Sequence, residues 1–355
     1  MPKTLVLSFR NLHRSPAFSA LYEFEDLAVE LLGADLVTVR RSIKDRRVSL
    51  SRTAYQVGRS LGVGERVADR MALAPGRLPV RQDYDLVICV LTNFYDLYPL
   101  HQVGDWDRWD VPRVCFVSEP WPSNLRLRSA RLEPLRGFTR WYSGLECGVA
   151  PLREMTRSDV DYLPLAVDTD RFRGDPASPR PIRYLNIGRR NADAHARLLA
   201  ESEDSWYWFD SLSGGLVDTP AEHRDSLARL YRRASFSITN VAKFDQSQVT
   251  GGRREVPGRF FEALAAGAVL LGTAPRSGLP GAELIVEAGE DGHEYASIVA
   301  GLEQDEQGLV DRRRRGIELA ARHHDWSDRI GRILDDLDLA RPAALQERLS
   351  RLAGA

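Results

Sequence analysis

Apolar residues along this chain come in two rhythms. Short continuous runs occur at Thr4–Phe9, Asp35–Val39, Asp85–Leu91, Arg113–Val117, Phe138–Tyr142 and Val160–Leu163, the pattern of strands buried on both faces. Between the first two, Leu21, Phe24, Leu27, Ala28 and Leu31 recur at helical spacing within Phe18–Leu32. Strand and helix in repetition predict a parallel sheet covered by helices. The rhythm breaks at Asp168–Arg183, which is dense in Pro, Gly, Asp and Arg and holds Pro176, Pro179 and Pro181. It then restarts with strands at Arg183–Ile187, Ser205–Phe209, Ser235–Thr239 and Val269–Gly272. Helices are predicted at Ala192–Leu199, Arg224–Arg233 and Arg259–Ala266, and two more across Gln304–Leu339. The expected fold is α/β, with two doubly wound domains facing across a cleft. Residues 1–167 form the first and 183–324 the second, with 168–182 as linker and 325–355 as C-terminal helices.

Composition changes this picture little. The 355 residues suit two ordinary cores. No run approaches the roughly 18 to 20 apolar residues of a membrane helix, and the start of the chain reads as a strand, not a signal peptide. Cys89, Cys115 and Cys147 show no metal spacing and read as buried free thiols in a reducing compartment, so a cytoplasmic location is expected. The net charge is −1, and residues 1–165 carry 23 Lys/Arg against 20 Asp/Glu. Neither half resembles a nucleic-acid binder. Lys3, Lys44 and Lys243 are the lysines of a chain otherwise rich in arginine.

The segment Arg253-Arg-Glu-Val-Pro-Gly-Arg-Phe-Phe-Glu-Ala-Leu-Ala-Ala-Gly-Ala-Val-Leu-Leu-Gly272 carries the most chemistry. A helix opening near Gly258 points its first N–H groups and positive dipole end outward, which makes a seat for a pyrophosphate. Arg259, in the first turn, opposes the dipole and so suggests a bound anion there, or simply a surface arginine in an arginine-rich chain. Glu262 follows three residues later on the same face, where a carboxylate could accept both ribose hydroxyls. The plain alternative is an Arg259–Glu262 surface pair.

The stretch from Arg259 to Leu271 resembles the donor-site signature of GT-B glycosyltransferases of the group 1 and family 4 type, especially the spore-maturation-protein-like branch. Leu163-Pro-Leu-Ala-Val-Asp-Thr-Asp-Arg-Phe172 is similar to their inter-domain signature, and Tyr184-Leu-Asn-Ile-Gly-Arg-Arg190 to the first strand and glycine loop of their C-terminal domain. Trp326 and its helix resemble the segment that crosses back to brace the N-terminal domain. The resemblance implies two Rossmann-like domains and transfer of a sugar from a nucleoside-diphosphate sugar to a hydroxyl, in polysaccharide or glycoconjugate biosynthesis. It implies retention of anomeric configuration, and no metal or other cofactor. Glu262 would hold the nucleotide ribose, and Gly188, Arg189, Arg190, Lys243, Gly258 and Arg259 the diphosphate. The family spaces its two glutamates eight positions apart. Here they are seven apart, so Glu255 takes the first one's role, holding hydroxyls of the transferred sugar, only across a loop one residue shorter. A solvated loop glutamate is the alternative.

Two loops after strands in the first domain supply further candidates. His13, in Arg10-Asn-Leu-His-Arg-Ser-Pro16, would contact donor phosphate or an acceptor hydroxyl. Glu119, in Ser118-Glu-Pro-Trp121, would contact the acceptor or serve as general base in an inverting enzyme. An exposed histidine and a structural turn are the respective alternatives. The acceptor would be a carbohydrate, a glycolipid or a small molecule. The basic cluster Arg40–Arg47 is a candidate for weak peripheral contact with anionic lipid, or simply a solvated face. Asp168-Thr-Asp170 sits in the hinge and is not expected to bind metal. Gly62-Val-Gly64 lacks the rest of a dinucleotide fingerprint, and adjacent His323 and His324 make a poor metal pair. A sugar-nucleotide epimerase and a non-catalytic sugar-nucleotide-binding protein remain the alternatives, since fold does not fix function.

Overall fold

Each apolar run read as a strand is one, and the strands sort into two sheets in which every pairing is parallel. The computed structural model describes residues 2–39, 80, 83–92, 100, 103, 106, 109–126, 137–202, 205–212, 215–275 and 278–354. The Arg40–Arg47 cluster and Gly62-Val-Gly64 lie outside the described residues. In the first sheet, β1 (Thr4–Ser8), β2 (Asp35–Thr38), β3 (Leu86–Leu91), β4 (Arg113–Val117), β5 (Arg140–Ser143) and β6 (Asp159–Tyr162) run in the order β2-β1-β3-β4-β5-β6. Helices α1 (Ser19–Leu32), α2 (Pro122–Arg126) and α3 (Val149–Thr156) connect them. The short α4 (Thr169–Phe172) follows, and then the second sheet begins.

That sheet contains β7 (Ile182–Ile187), β8 (Trp206–Asp210), β9 (Ala234–Ile238), β10 (Val269–Gly272) and β11 (Val286–Glu287), ordered β11-β10-β9-β7-β8. Its helices are α5 (Ala192–Glu201), α6 (Pro220–Arg232), α7 (Ser247–Thr250), α8 (Gly258–Ala266), α9 (Tyr295–Glu303) and α10 (Glu306–His323). Two more, α11 (Trp326–Asp335) and α12 (Ala343–Ala353), close the chain.

Side chains of β3 alternate between two cores. Val87, Cys89 and Leu91 enter one, and Leu86, Ile88 and Val90 the other. The second core also takes Trp326, Ile330, Ile333 and Leu334 from α11. The apolar stripe at near-heptad spacing in the tail is therefore buried against the first sheet. Trp326 is fully buried, its ring 5.3 Å from Phe24 and 6.2 Å from Phe116. Burying so large a ring contributes several kcal/mol to this crossover, by about 25 cal/mol per Å2. Cys89 and Cys115 are buried and unbridged as read from the sequence, whereas Cys147 is only half-buried.

The Asp168-Thr-Asp170 segment, between the two sheets, is fastened to the last helix. Asp168 caps α4 by accepting from the Arg171 amide, and Arg348 of α12 reaches Asp168 at 2.6 Å and Asp325 at 2.8 Å. Arg351 binds Asp170. These carboxylates are spent on arginines of the last helix.

Both sheets have a topological switch point. The chain leaves β1 toward β2 and returns to β3; it leaves β7 toward β8 and returns to β9. Crevices open at the carboxyl ends of such strand pairs.

Candidate functional site

At the second switch point the chain leaves β7 through Gly188, whose φ of +87° is a left-handed conformation that favours glycine. Its amide donates to Asp210 O at 2.6 Å, and the space where a Cβ would stand is open. Half-buried Arg189 pairs with Asp245 of the loop after β9 at 3.1 Å. Exposed Arg190 lies over the Phe209 ring at 4.9 Å. Lys243, on the same β9 loop, also has positive φ, at +52°. That strained placement carries its ammonium to Glu119 of the first domain at 3.1 Å and over the Trp121 ring at 5.0 Å. Trp121 Nε1 in turn donates to Glu119 at 3.1 Å.

Helix α8 begins beside this cluster. Pro257 at its cap has no side-chain acceptor, and the first turn has no acid. Among the described residues no side chain caps the helix, so its N-terminal dipole end has no side-chain acceptor. Gly267, at φ +70°, closes the other end in the left-handed form usual for a glycine stop. Arg259 donates to Ile187 O at 2.9 Å and Arg189 O at 3.3 Å, so it braces the β7 exit. Burial holds its guanidinium below the ordinary arginine range. The Arg189 charge nearby also works to lower it.

The Arg259–Glu262 pair weighed from sequence does not form. Glu262, only 7% exposed, instead joins Arg224 of α6 through Oε1. Nor is Glu255 a solvated loop residue. Also 7% exposed, it accepts from the amides of Glu146 at 3.1 Å and Cys147 at 2.8 Å, just ahead of α3. A carboxylate of the second domain thus accepts from two amides at the helical turn ahead of α3, tying the two domains together there. Burial first, then Glu255, push the Cys147 thiol well up, which favours its neutral form.

The β1 loop crosses the cleft at another point. Arg14 pairs with Asp218, and its carbonyl accepts from Val217 at 2.7 Å. His13 is half-buried, its ring 5.6 Å from Phe18 and edge-on to it. The structure therefore brings together Gly188, Arg189, Lys243, Gly258, Arg259, Glu119 and Glu255, with Arg190 at the rim and Glu262 behind. Sequence reasoning missed Arg224 and Glu23. The available signal was Glu23 itself, a charge in α1 on the face of Leu27. Among the described residues, no three His, Cys, Asp or Glu side chains are grouped as a metal site, and no helix is long and apolar enough to cross a membrane.

A family model described as "Glycosyl transferase-like" matches residues 189–335, less than half of the chain. A search of curated proteins finds no match. Among solved structures, the chain is similar to Anabaena Alr3699/HepE in complex with UDP-glucose, with TM-score 0.53 and 12% identity over 95% of this chain and 100% of that one. An alpha-glucosyltransferase in complex with UDP is similar at TM-score 0.56 and 10% identity, with the same coverage. The same enzyme type with UDP and a 13-mer DNA containing a HMU base follows at 0.55 and 12%, covering 95% and 99%. At such identities the likeness establishes the fold: two Rossmann-like domains of the GT-B type.

Proposed function

We propose that this chain moves a glycosyl group from a nucleoside-diphosphate sugar to a hydroxyl acceptor, without a metal and with retention of configuration. The observation that carries the reading is the convergence of Arg189, Lys243 and Arg259 with the uncapped start of α8 at the β7/β9 switch point. A departing diphosphate needs its developing charge met by preorganised cations and N–H groups, and this is such a set. The family match runs through the same half, from Arg189 past Glu262.

The two carboxylates nearest the cleft are engaged. Glu119 is held by Lys243 and Glu255 by two amides. That arrangement favours a reaction in which the leaving phosphate takes the acceptor proton over one driven by an enzyme base. The acceptor would be a carbohydrate, a glycolipid or a small molecule, entering from the side of His13 and Trp121, and the enzyme would act in the cytoplasm.

The test is release of nucleoside diphosphate from UDP-, GDP-, ADP-, TDP- and CDP-sugars, with and without EDTA. Turnover of one donor, unchanged by EDTA and giving the same anomer by NMR, is expected. Turnover abolished by EDTA, or an inverted product, overturns the corresponding part of the proposal.

A further inference from the structure

The domains are joined most deeply by a chain of charges. Glu23 of α1 is 1% exposed and accepts from five donors. Arg224 supplies two, Nε and Nη2, each at 3.0 Å. Arg171 adds one at 3.2 Å, the Asp168 amide one at 2.9 Å and Trp326 Nε1 one at 3.2 Å. The hinge, α11 and the second domain thus meet on one carboxylate of the first domain. Arg224, 2% exposed, turns its remaining Nη1 to Glu262 Oε1, and its guanidinium lies 4.5 Å from the centre of the Phe172 ring.

Burying two carboxylates and a guanidinium costs much desolvation, and well-packed apolar residues usually join helices at least as firmly. What the fork provides is orientation. Its five N–H groups are rigidly planar, so fixing two nitrogens on Glu23 fixes the third on Glu262. Burial opposes the charge on Arg224, yet Glu23 and Glu262 hold it above the ordinary arginine range. Burial raises Glu23, with Arg224 working against that rise.

We propose that Arg224 and Glu23 are positioning residues for the donor: they aim the Glu262 carboxylate at the nucleotide ribose, so that an acceptor-domain side chain sets donor recognition. The inference rests on the donor-site reading above. Opening the domains would part Glu23 from Arg224 and release Glu262, which couples nucleotide affinity to closure.

The test uses the full chain and the affinities of UDP, GDP and ADP beside their 2′-deoxy counterparts, measured by calorimetry. A carboxylate on the ribose makes the wild type prefer the ribose form by about tenfold, the worth of a hydrogen bond to a charged acceptor. Arg224→Lys keeps the charge without the fork, and Glu23→Gln keeps the shape without the charge. Both are expected to shrink that preference to about twofold, as Glu262→Gln does, while leaving the deoxy affinity nearly unchanged. A merely structural role would weaken both nucleotides alike. If the wild type discriminates and both variants keep the full ratio, the positioning inference falls and the donor site stands. A wild type that binds nucleotide without ribose preference also overturns it. If the wild type binds none of these nucleotides, the donor-site reading itself fails and takes the inference with it.

Discussion

Falling pH should erode the stability that one buried histidine contributes. His324 follows α10 with 1% exposure, its ring 4.9 Å from Phe261 and 5.9 Å from Phe260 of α8. Nε2 donates to Pro280 O at 2.7 Å and Nδ1 accepts from Arg329 at 3.4 Å, an arrangement only the neutral ring satisfies. Burial, then the Arg329 charge, lower its pKa from 6.5 to about 3. A depressed folded pKa means the stability is fully present above pH 6.5 and is lost as pH falls toward 3. At pH 5 the unfolded ring is protonated across 1.5 pH units, worth about 2 kcal/mol at about 1.36 kcal/mol per unit. His324→Gln keeps a donor and an acceptor but cannot titrate. Urea unfolding followed by tryptophan fluorescence at pH 7.5 and pH 5 measures both proteins. The wild type should lose about 2 kcal/mol more than the variant between the two. Glu25, raised to about 7 chiefly by burial, titrates in the same window with opposite sign, but it is common to both proteins and drops out. Asp325 and Asp170, both below the usual carboxylate range, titrate beneath the window. Parallel pH dependence in the two proteins would refute the neutral buried ring.

Two substitutions separate stability from chemistry. Trp326→Ala should cost about 3–5 kcal/mol in urea unfolding, because it empties the space beside Phe24 and Phe116 and removes a donor to Glu23; a loss below about 1 kcal/mol contradicts the packing described. Lys243→Ala removes a half-exposed ion pair worth at most about 1 kcal/mol, so thermal unfolding should hardly move. Its kcat with the active donor should fall by roughly a hundredfold if the ammonium serves the leaving diphosphate, and unchanged kcat removes Lys243 from the site.

Local rhythm made the sheets legible. Val269–Gly272 and Arg113–Val117 stand where the sequence puts them, because both are continuous apolar runs with clear stops. Helix α12 stands within the C-terminal helices expected over 325–355, with Leu345, Leu349 and Leu352 on one face after Pro342, whereas α9 carries too few polar breaks to show a helical face. At the site, the position of Arg259 and Glu262 on one turn was legible but their partners were not. Arg259 turns to carbonyls of β7 and Glu262 to Arg224, whose other partner, Glu23, is 201 residues away in sequence. Contacts across such separations follow from how the two domains meet, and no local pattern encodes them. Glu255 shows the same limit, since its acceptor role depends on amides of the opposite domain.

Thermal unfolding against UDP, GDP, ADP, TDP and CDP, with and without EDTA, tests the donor site most directly. One nucleotide at saturating concentration should raise the midpoint by the mass-action term, about 2.7 kcal/mol at a hundred times its Kd. EDTA should leave that rise intact, and Glu262→Ala, by weakening binding about tenfold, should cut it to about 1.4 kcal/mol relative to its own ligand-free midpoint. No shift with any of the five at millimolar concentration contradicts a nucleotide site at the β7/β9 switch point.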